Sequence, residues 1–366
     1  LIKERVCETA EHPAEVLMSY TILVTAPSLA PAGLELLRGR GCEVHFVENF
    51  SAIDRLTEKF AHIAIDAVIS RTMQITEAMM VSCPTLKVIS KHGVGVSNID
   101  LRAATNLGIA VFSTPGANTR AVSEFTIGLL IASFRHLARF DRAVRAHQWT
   151  RAGDGGELAG RTLGLIGFGR IAREVARVAN ALQMRILAFD PYVDANAAQP
   201  DGVEFAKSIG EMLPYCHALS LHCPAQRGMP PIINAAALAL LPQGAVIVNT
   251  ARGELIDEAA LVQALRSGQL GAAALDTFAT EPLESDSPLL SLDNVILTPH
   301  VAGSTPDALA EMARAAVINI LNYLDAQEDA FRSGHDAPKH SLLLENCLNC
   351  EAIQPLNNRP SLVSVQ

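Results

Sequence analysis

Aromatic residues are scarce in this 366-residue chain, at 5%, and tryptophan occurs once, as Trp149. Positive charge is also short: 29 lysines and arginines face 38 acids, the formal net charge is −9, and no basic block exceeds two residues. That pattern excludes broad contact with nucleic acid or an anionic membrane surface, whose phosphates need clustered cations. No apolar run approaches the roughly 20 residues that span a bilayer, so no membrane partner is expected. No segment recurs at a solenoid period. The seven cysteines are odd in number and scattered, which excludes a disulfide framework and suits reduced thiols. The chain starts Leu1-Ile2-Lys3-Glu4-Arg5, with an acid and no apolar h-region, so a signal peptide is not expected and the location is read as cytoplasmic. Met18-Ser19-Tyr20 resembles a native start, which makes residues 1–17 an appended or poorly ordered segment.

What the chain does have is 49% hydrophobic and 18% charged residues, the balance of a soluble globular protein long enough for two domains. Its organising stretch is Arg161 to Pro191. An apolar run, Leu163 to Ile166, enters a glycine turn; a helical pattern leaves it; a second apolar run, Ile186 to Phe189, ends on Asp190. Gly167, Gly169 and Ala172 fill the G-x-G-x-x-G/A positions of a dinucleotide-binding βαβ unit, with Asp190 about 20 residues on. Each type has its reason. Gly167 permits the tight turn, Gly169 lets backbone approach a pyrophosphate, and Ala172 allows close helix-to-strand packing, while the helix N-terminus offers free N–H groups to phosphates. Asp190 would accept the adenosine ribose hydroxyls and repel a 2′-phosphate, favouring NAD over NADP.

Before this unit, strand patterns at Thr21 to Thr25, Glu43 to Val47, Ala67 to Ser70, Leu86 to Ser90 and Ile109 to Phe112 alternate with helical ones, predicting a parallel sheet without a phosphate loop. From Asn118 to Gln148, Val122, Phe125, Leu129, Phe134, Leu137 and Phe140 recur at helical spacing and predict one long helix bridging two domains. Its apolar residues exceed one stripe, implying burial on several sides, either inside the fold or against a second subunit. Strands follow at His217 to Leu221, Ala245 to Asn249, Ala272 to Leu275 and Val295 to Leu297, completing a six-stranded sheet, with a helix capped by Asp257 and ended by Gly268. A last helix is predicted over Pro306 to Ala326, and residues 328–366 read as a surface or disordered tail. His335, His340, Cys347 and Cys350 in that tail match no standard zinc spacing, and no metal is expected.

Three loops at carboxyl ends of strands, where such sheets bind ligands, carry chemically useful residues. Arg252, in Asn249-Thr250-Ala251-Arg252-Gly253, offers a planar fork for a carboxylate. Glu281, after Asp276-Thr277-Phe278, and His300, after Leu297-Thr298-Pro299, lie on adjacent loops and supply the acid and imidazole that move protons near neutral pH.

The runs GLIGFGRIA, AFDPY, VNTARGELIDEAAL, AALDTFATEPL and LTPHVAGST resemble those of the D-isomer-specific 2-hydroxyacid dehydrogenases, most closely their phosphoglycerate dehydrogenase branch. That resemblance implies an α/β fold of two Rossmann-like doubly wound parallel-sheet domains. Residues 18–117 with 304–327 would form a flavodoxin-like substrate domain and 118–303 the NAD-binding domain. It implies an NAD-dependent oxidoreductase moving hydride between nicotinamide and C2 of a small anionic 2-hydroxy or 2-oxo acid. Arg252 would hold the substrate, His300 exchange the hydroxyl proton and Glu281 orient His300. Cofactor contacts are implied for Gly167, Gly169, Arg170, Ile171, Asp190, Pro191, His222, Cys223, Pro224, Thr250, Ala251, Arg252, Asp276, His300 and Gly303. The loop His92-Gly93-Val94-Gly95, with Asn98, resembles the one whose amides bind the substrate carboxylate. A homodimer built partly on the helix near Asn118 is implied as well.

Departures from the family pattern bear on the substrate. The branch's phosphate-binding arginine aligns with Ser70, and Arg71 stands one place later, where an extended chain turns side chains to the opposite face. Both a phosphorylated acid and the unphosphorylated hydroxypyruvate or glyoxylate are therefore carried forward. Gln226 to Pro231 replaces a polar, Thr-rich turn. No regulatory C-terminal domain is expected, nor serine feedback through one. A different class, the NAD-sensing corepressors of the same superfamily, retains the catalytic trio and stands as the alternative.

Overall fold

The computed structural model describes residues 19–49, 53–149, 151, 153–193, 202–225, 228–333 and 346–349. The chain forms two compact units, Leu1–Thr114 with Ala313–Gln366, and Pro115–Met312.

In the first unit, five parallel strands, β1 (Thr21–Val24), β2 (Glu43–Phe46), β3 (Ala67–Ser70), β4 (Val88–Lys91) and β5 (Ala110–Phe112), lie in the order β2-β1-β3-β4-β5. Parallel strands joined by helical crossovers must be covered on both faces, so their patterns are nearly all apolar. One face packs Ile22, Val24, Ile69 and Phe112 on Ala316, Val317 and Ile320 of the helix Pro306–Ser333, and the other packs Val68 and Ile89 on Leu56, Phe60 and Ile65.

The second unit is a seven-stranded parallel sheet of β6 (Thr162–Ile166), β7 (Arg185–Phe189), β8 (Val203–Phe205), β9 (Ala218–Leu221), β10 (Ala245–Asn249), β11 (Leu270–Leu275) and β12 (Val295–Leu297), in the order β12-β11-β10-β9-β6-β7-β8. The order reverses between β6 and β9, which makes the carboxyl end of β6 a topological switch point. Six strands were expected. The seventh, β8, is a three-residue edge strand with a single buried position, too short to show a period.

The long helix predicted over Asn118 to Gln148 is instead two helices, Thr119–Phe134 and Leu137–Arg145, bent 64° from one another. His136 takes left-handed backbone angles (φ 50°, ψ 35°), where a helix of L-residues cannot continue. The apolar spacing runs through the break because both helices keep an apolar face. Thr119–Phe134 buries Ile127, Leu129, Leu130 and Phe134 within its own unit, whereas Leu137–Arg145 buries no residue fully.

The last helix reaches Ser333 rather than Ala326, and Asn346 to Asn349 pair with β5 instead of forming a loose tail. Phe112 and Cys347 form an antiparallel bridge, Ser113 N–H donates to Asn346 O and Leu348 N–H to Val111 O. Backbone pairing of four residues needs no side-chain period, so the pattern left no trace. His335, His340, Cys350, Gln226 and Arg227 lie outside the described residues, as do residues 1–18. No cluster of metal-ligating side chains occurs among the described residues. No single described helix is long and apolar enough to cross a membrane.

Candidate active site

Gly167 closes the turn after β6 at φ +87°, and a Cβ there would meet the carbonyl carbon and oxygen of His222 at 2.7 Å. No other residue fits. Gly169, by contrast, faces nothing within 4 Å, so no protein atom demands a glycine there; the space is what a pyrophosphate needs. Gly169 is also the N-cap of the helix Arg170–Ala181, and no side chain caps that end, leaving its first amides open to an anion. Ala172 is wholly buried against the sheet. These three features fit a dinucleotide.

Asp190 follows β7 and braces the turn itself: Oδ2 accepts the Phe168 amide at 2.8 Å and Oδ1 the Tyr192 amide at 2.9 Å. Each oxygen keeps a lone pair for a ribose hydroxyl. Pro191 is exposed beside it. Arg170 donates to the Pro115 carbonyl at 2.9 Å and lies against Gly116, so part of its fork is used at home, and Ile171 is half-buried on the helix's first turn.

His222 follows β9, its ring bonded to Ser220 Oγ at 2.9 Å, and burial depresses its pKa to about 4, which keeps it neutral. Burial pushes the neighbouring Cys223 thiol up to about 11, so it is neither a thiolate nor a nucleophile at pH 7. Pro224 is exposed beside it. Thr250 is buried, its hydroxyl 2.9 Å from that of Thr126. Gly303 lies where a Cβ would press on Asn118 Nδ2 at 2.9 Å.

Arg252 leaves β10 in extended conformation, with Nη1 donating to the Ala251 carbonyl at 2.6 Å. The turn that carries it is stapled by Asn249, whose buried side chain accepts the Ala251 amide (3.0 Å) and donates to Arg252 O (2.7 Å). Sequence reading assigned no role to Asn249; an amide at the end of a buried strand was the available signal.

Glu281 and His300 meet, Oε2 to Nδ1 at 2.9 Å, while Glu281 Oε1 accepts the Phe278 amide at 3.0 Å. Burial raises the Glu281 pKa, but the hydrogen bonds from His300 and Phe278 and the charges of His300 and Arg252 outweigh it, leaving the carboxyl below its usual range. His300 has φ 54°, a left-handed conformation that a non-glycine residue keeps only when its surroundings enforce it. Asp276 does the enforcing. Fully buried at the end of β11, it accepts the Thr298 hydroxyl (2.6 Å) and the Val301 amide (2.9 Å) on Oδ1, and the Ala302 amide (2.9 Å) on Oδ2. The carboxylate for which the family resemblance implies a cofactor contact thus also fixes the histidine loop from both sides.

In the first unit, Ser70 and Asn98 turn inward. Asn98 Nδ2 donates to Ser70 Oγ (3.0 Å), Arg71 O (3.2 Å) and Met73 O (2.7 Å), and its Oδ1 accepts Lys91 Nζ at 2.7 Å. Lys91, buried and bonded also to Arg71 O, is a second residue that sequence reading passed over. Arg71 differs. Its guanidinium has no hydrogen-bond or ion-pair partner among the described residues, and burial lowers its pKa. Val94 is exposed and Gly95 half-buried in the loop after β4.

A doubly wound sheet with a dinucleotide turn at its switch point, and an arginine and a carboxylate–imidazole pair at neighbouring strand ends, defines a nucleotide-dependent oxidoreductase class. Sequence comparison narrows it: residues 127–302 match the NAD-binding domain of the D-isomer specific 2-hydroxyacid dehydrogenases. A D-3-phosphoglycerate dehydrogenase of Methanocaldococcus jannaschii is 41% identical over 288 residues, 78% of this chain and 54% of that protein. A hydroxypyruvate reductase of Thermotoga maritima is 40% identical over 251 residues, 67% of this chain and 80% of that protein. A crystal structure of a Thermus thermophilus protein superposes with a TM-score of 0.76 at 34% identity, covering 87% of this chain and 98% of that one. The chain belongs to the D-isomer-specific 2-hydroxyacid dehydrogenase family. It spans about half the length of the D-3-phosphoglycerate dehydrogenases it matches.

Proposed function

We propose that this protein is an NAD-dependent D-2-hydroxyacid dehydrogenase of the 3-phosphoglycerate type. The observation that carries the reading is the Glu281–His300 hydrogen bond at the carboxyl end of the same sheet whose switch point holds the dinucleotide turn. Bound NAD would exchange hydride with C2 of the substrate at its nicotinamide ring. His300, through Nε2, takes the proton of the C2 hydroxyl during oxidation and returns it during reduction. Glu281, held on Nδ1, fixes the tautomer and favours the imidazolium that forms. Arg252 pairs with the substrate's carboxylate and polarises its C2 oxygen. Asp190 selects NAD through the ribose hydroxyls. Residues 18–117 with 304–327 are taken as the substrate domain and 118–303 as the NAD domain; the Val94–Gly95 amides bind the carboxylate.

Arg71 supports an acid with a second anionic group, because a half-buried guanidinium without a partner is costly until an anion meets it. The inward-turned Ser70, at the position of the branch's phosphate-binding arginine, favours the second reading, a hydroxypyruvate or glyoxylate reductase. A phosphorylated substrate would place the enzyme in serine biosynthesis, in the cytoplasm. NADH oxidation with 3-phosphohydroxypyruvate, hydroxypyruvate, glyoxylate and pyruvate decides between the two. Arg252→Ala is expected to lower kcat/KM by about 100-fold or more on the preferred acid, equivalent to the ~3 kcal/mol of a charge-assisted bidentate contact, with the fold intact. Unchanged turnover would rule out the assigned role.

A further inference from the structure

The peptide between Phe278 and Ala279 is held by two residues with no role so far. On one side Gly253 approaches so closely that a Cβ would lie 1.9 Å from Phe278 C, 2.2 Å from its carbonyl oxygen and 2.3 Å from Ala279 N. On the other, Glu258, the first residue of the helix Glu258–Arg266, accepts the Ala279 amide on Oε1 at 2.8 Å. The amide one residue earlier, Phe278 N–H, is the one that holds Glu281 Oε1, leaving Oε2 for His300. Gly253 in turn adjoins Arg252, whose carbonyl accepts the Leu255 amide at 3.3 Å to close the same turn. One peptide therefore touches the supports of both catalytic loops.

An acid in a first helical turn ordinarily serves the helix dipole, and any carboxylate there does so without a further contact. The bond to Ala279 is a different matter. It reaches across 21 residues to a loop that no helix or strand fixes.

We propose that Glu258 and Gly253 are positioning residues, clamping the Phe278–Ala279 peptide so that Glu281 stays aimed at His300 and in register with Arg252. The proposal rests on the catalytic reading of the trio. Its logic is geometric: a displacement of about 1 Å at a catalytic group can cost up to ~100-fold in rate.

The test compares Glu258→Gln, which keeps an acceptor oxygen, with Glu258→Ala, which removes it, and Glu258→Asp, which keeps the charge for the dipole but falls a methylene short. Amide exchange at Phe278 and Ala279, by mass spectrometry on the protein without cofactor, is read beside kcat, KM and NADH affinity. The Ala and Asp variants are expected to exchange both amides faster and to lose about tenfold in kcat, with KM and NADH affinity within about twofold of the parent, and Gln to restore parental behaviour. An Asp variant equal to the parent would hand the role to the dipole and overturn the proposal. So would an unchanged Phe278 amide in the Ala variant, or Gln as impaired as Ala. His300→Gln, run alongside, separates the two levels: if it keeps full turnover the catalytic reading is lost, whereas its inactivity beside an unaffected Glu258→Ala sinks the clamp alone.

Discussion

Burial alone would lift the Glu281 carboxyl, yet its bonds to His300 and the Phe278 amide and the nearby positive charges bring it below the ordinary value, about 4.3 for glutamate. A carboxyl whose folded pKa is depressed contributes stability that is complete above the unfolded pKa and is lost as pH falls through the folded one. Glu281→Gln should accordingly melt below the parent at pH 7, with the gap closing as pH falls through the lowered carboxyl pKa. The side chain is 38% exposed, so solvent screening keeps the gap small. Thermal melts from pH 7 to 3.5 measure it; a gap independent of pH would mean that the ion pair contributes nothing. At this scale Arg252, Glu281 and His300 were legible in the sequence because their types are unusual at strand ends. Asn249, Glu258 and Lys91 were not, since their importance lies in hydrogen bonds to partners 2 to 21 residues away in sequence, whose geometry only the fold sets.

Elements with a strong local signal came out as expected. The helix Glu258–Arg266 has Asp257 as its N-cap, with the side chain accepting the Ala260 amide at 3.0 Å, and β10 and β12 have the predicted bounds. Elements defined by contact did not. The segment Asn346 to Asn349 adds itself to the edge of β5, and edges left open invite pairing with other chains. Its anchor is Asn349, whose amide side chain substitutes for backbone by accepting Val111 N–H (2.9 Å) and donating to Ile109 O (2.9 Å) and Thr105 Oγ1 (3.1 Å). Asn349→Ala should raise the exchange rate of the Val111 amide by about tenfold or more, at ~1 kcal/mol per lost bond, with melting temperature only slightly lowered. Unchanged exchange would show that the segment does not hold the edge.

For the whole molecule, the helix Leu137–Arg145 and the residues after it leave Leu137 (52% exposed), Val144 (53%) and the sole tryptophan, Trp149 (79%), in water. Leu137 and Val144 are seven residues apart and share a helix face. Exposed apolar groups grouped this way are the kind that a symmetric second copy covers. A homodimer is proposed on this face. Sedimentation should show twice the mass of one chain, Leu137→Glu with Val144→Glu should release monomer, and Trp149 emission should shift to the red as the dimer dissociates on dilution. A monomeric parent at micromolar concentration would refute it.

The sequence by itself determined the two parallel sheets, the dinucleotide turn and the presence of Arg252, Glu281 and His300 at strand ends, because strand burial, glycine geometry and side-chain chemistry are local properties written in residue type and spacing. The tertiary structure alone decided that the helix after Asn118 breaks at His136, that an eighth strand in chain order adds a seventh to the larger sheet, and that residues 346–349 return to β5. It also decided how the trio is aimed. Asp276, Asn249 and the Phe278–Ala279 peptide act through hydrogen bonds and close approach, and such contacts depend on distances that no spacing along the chain records.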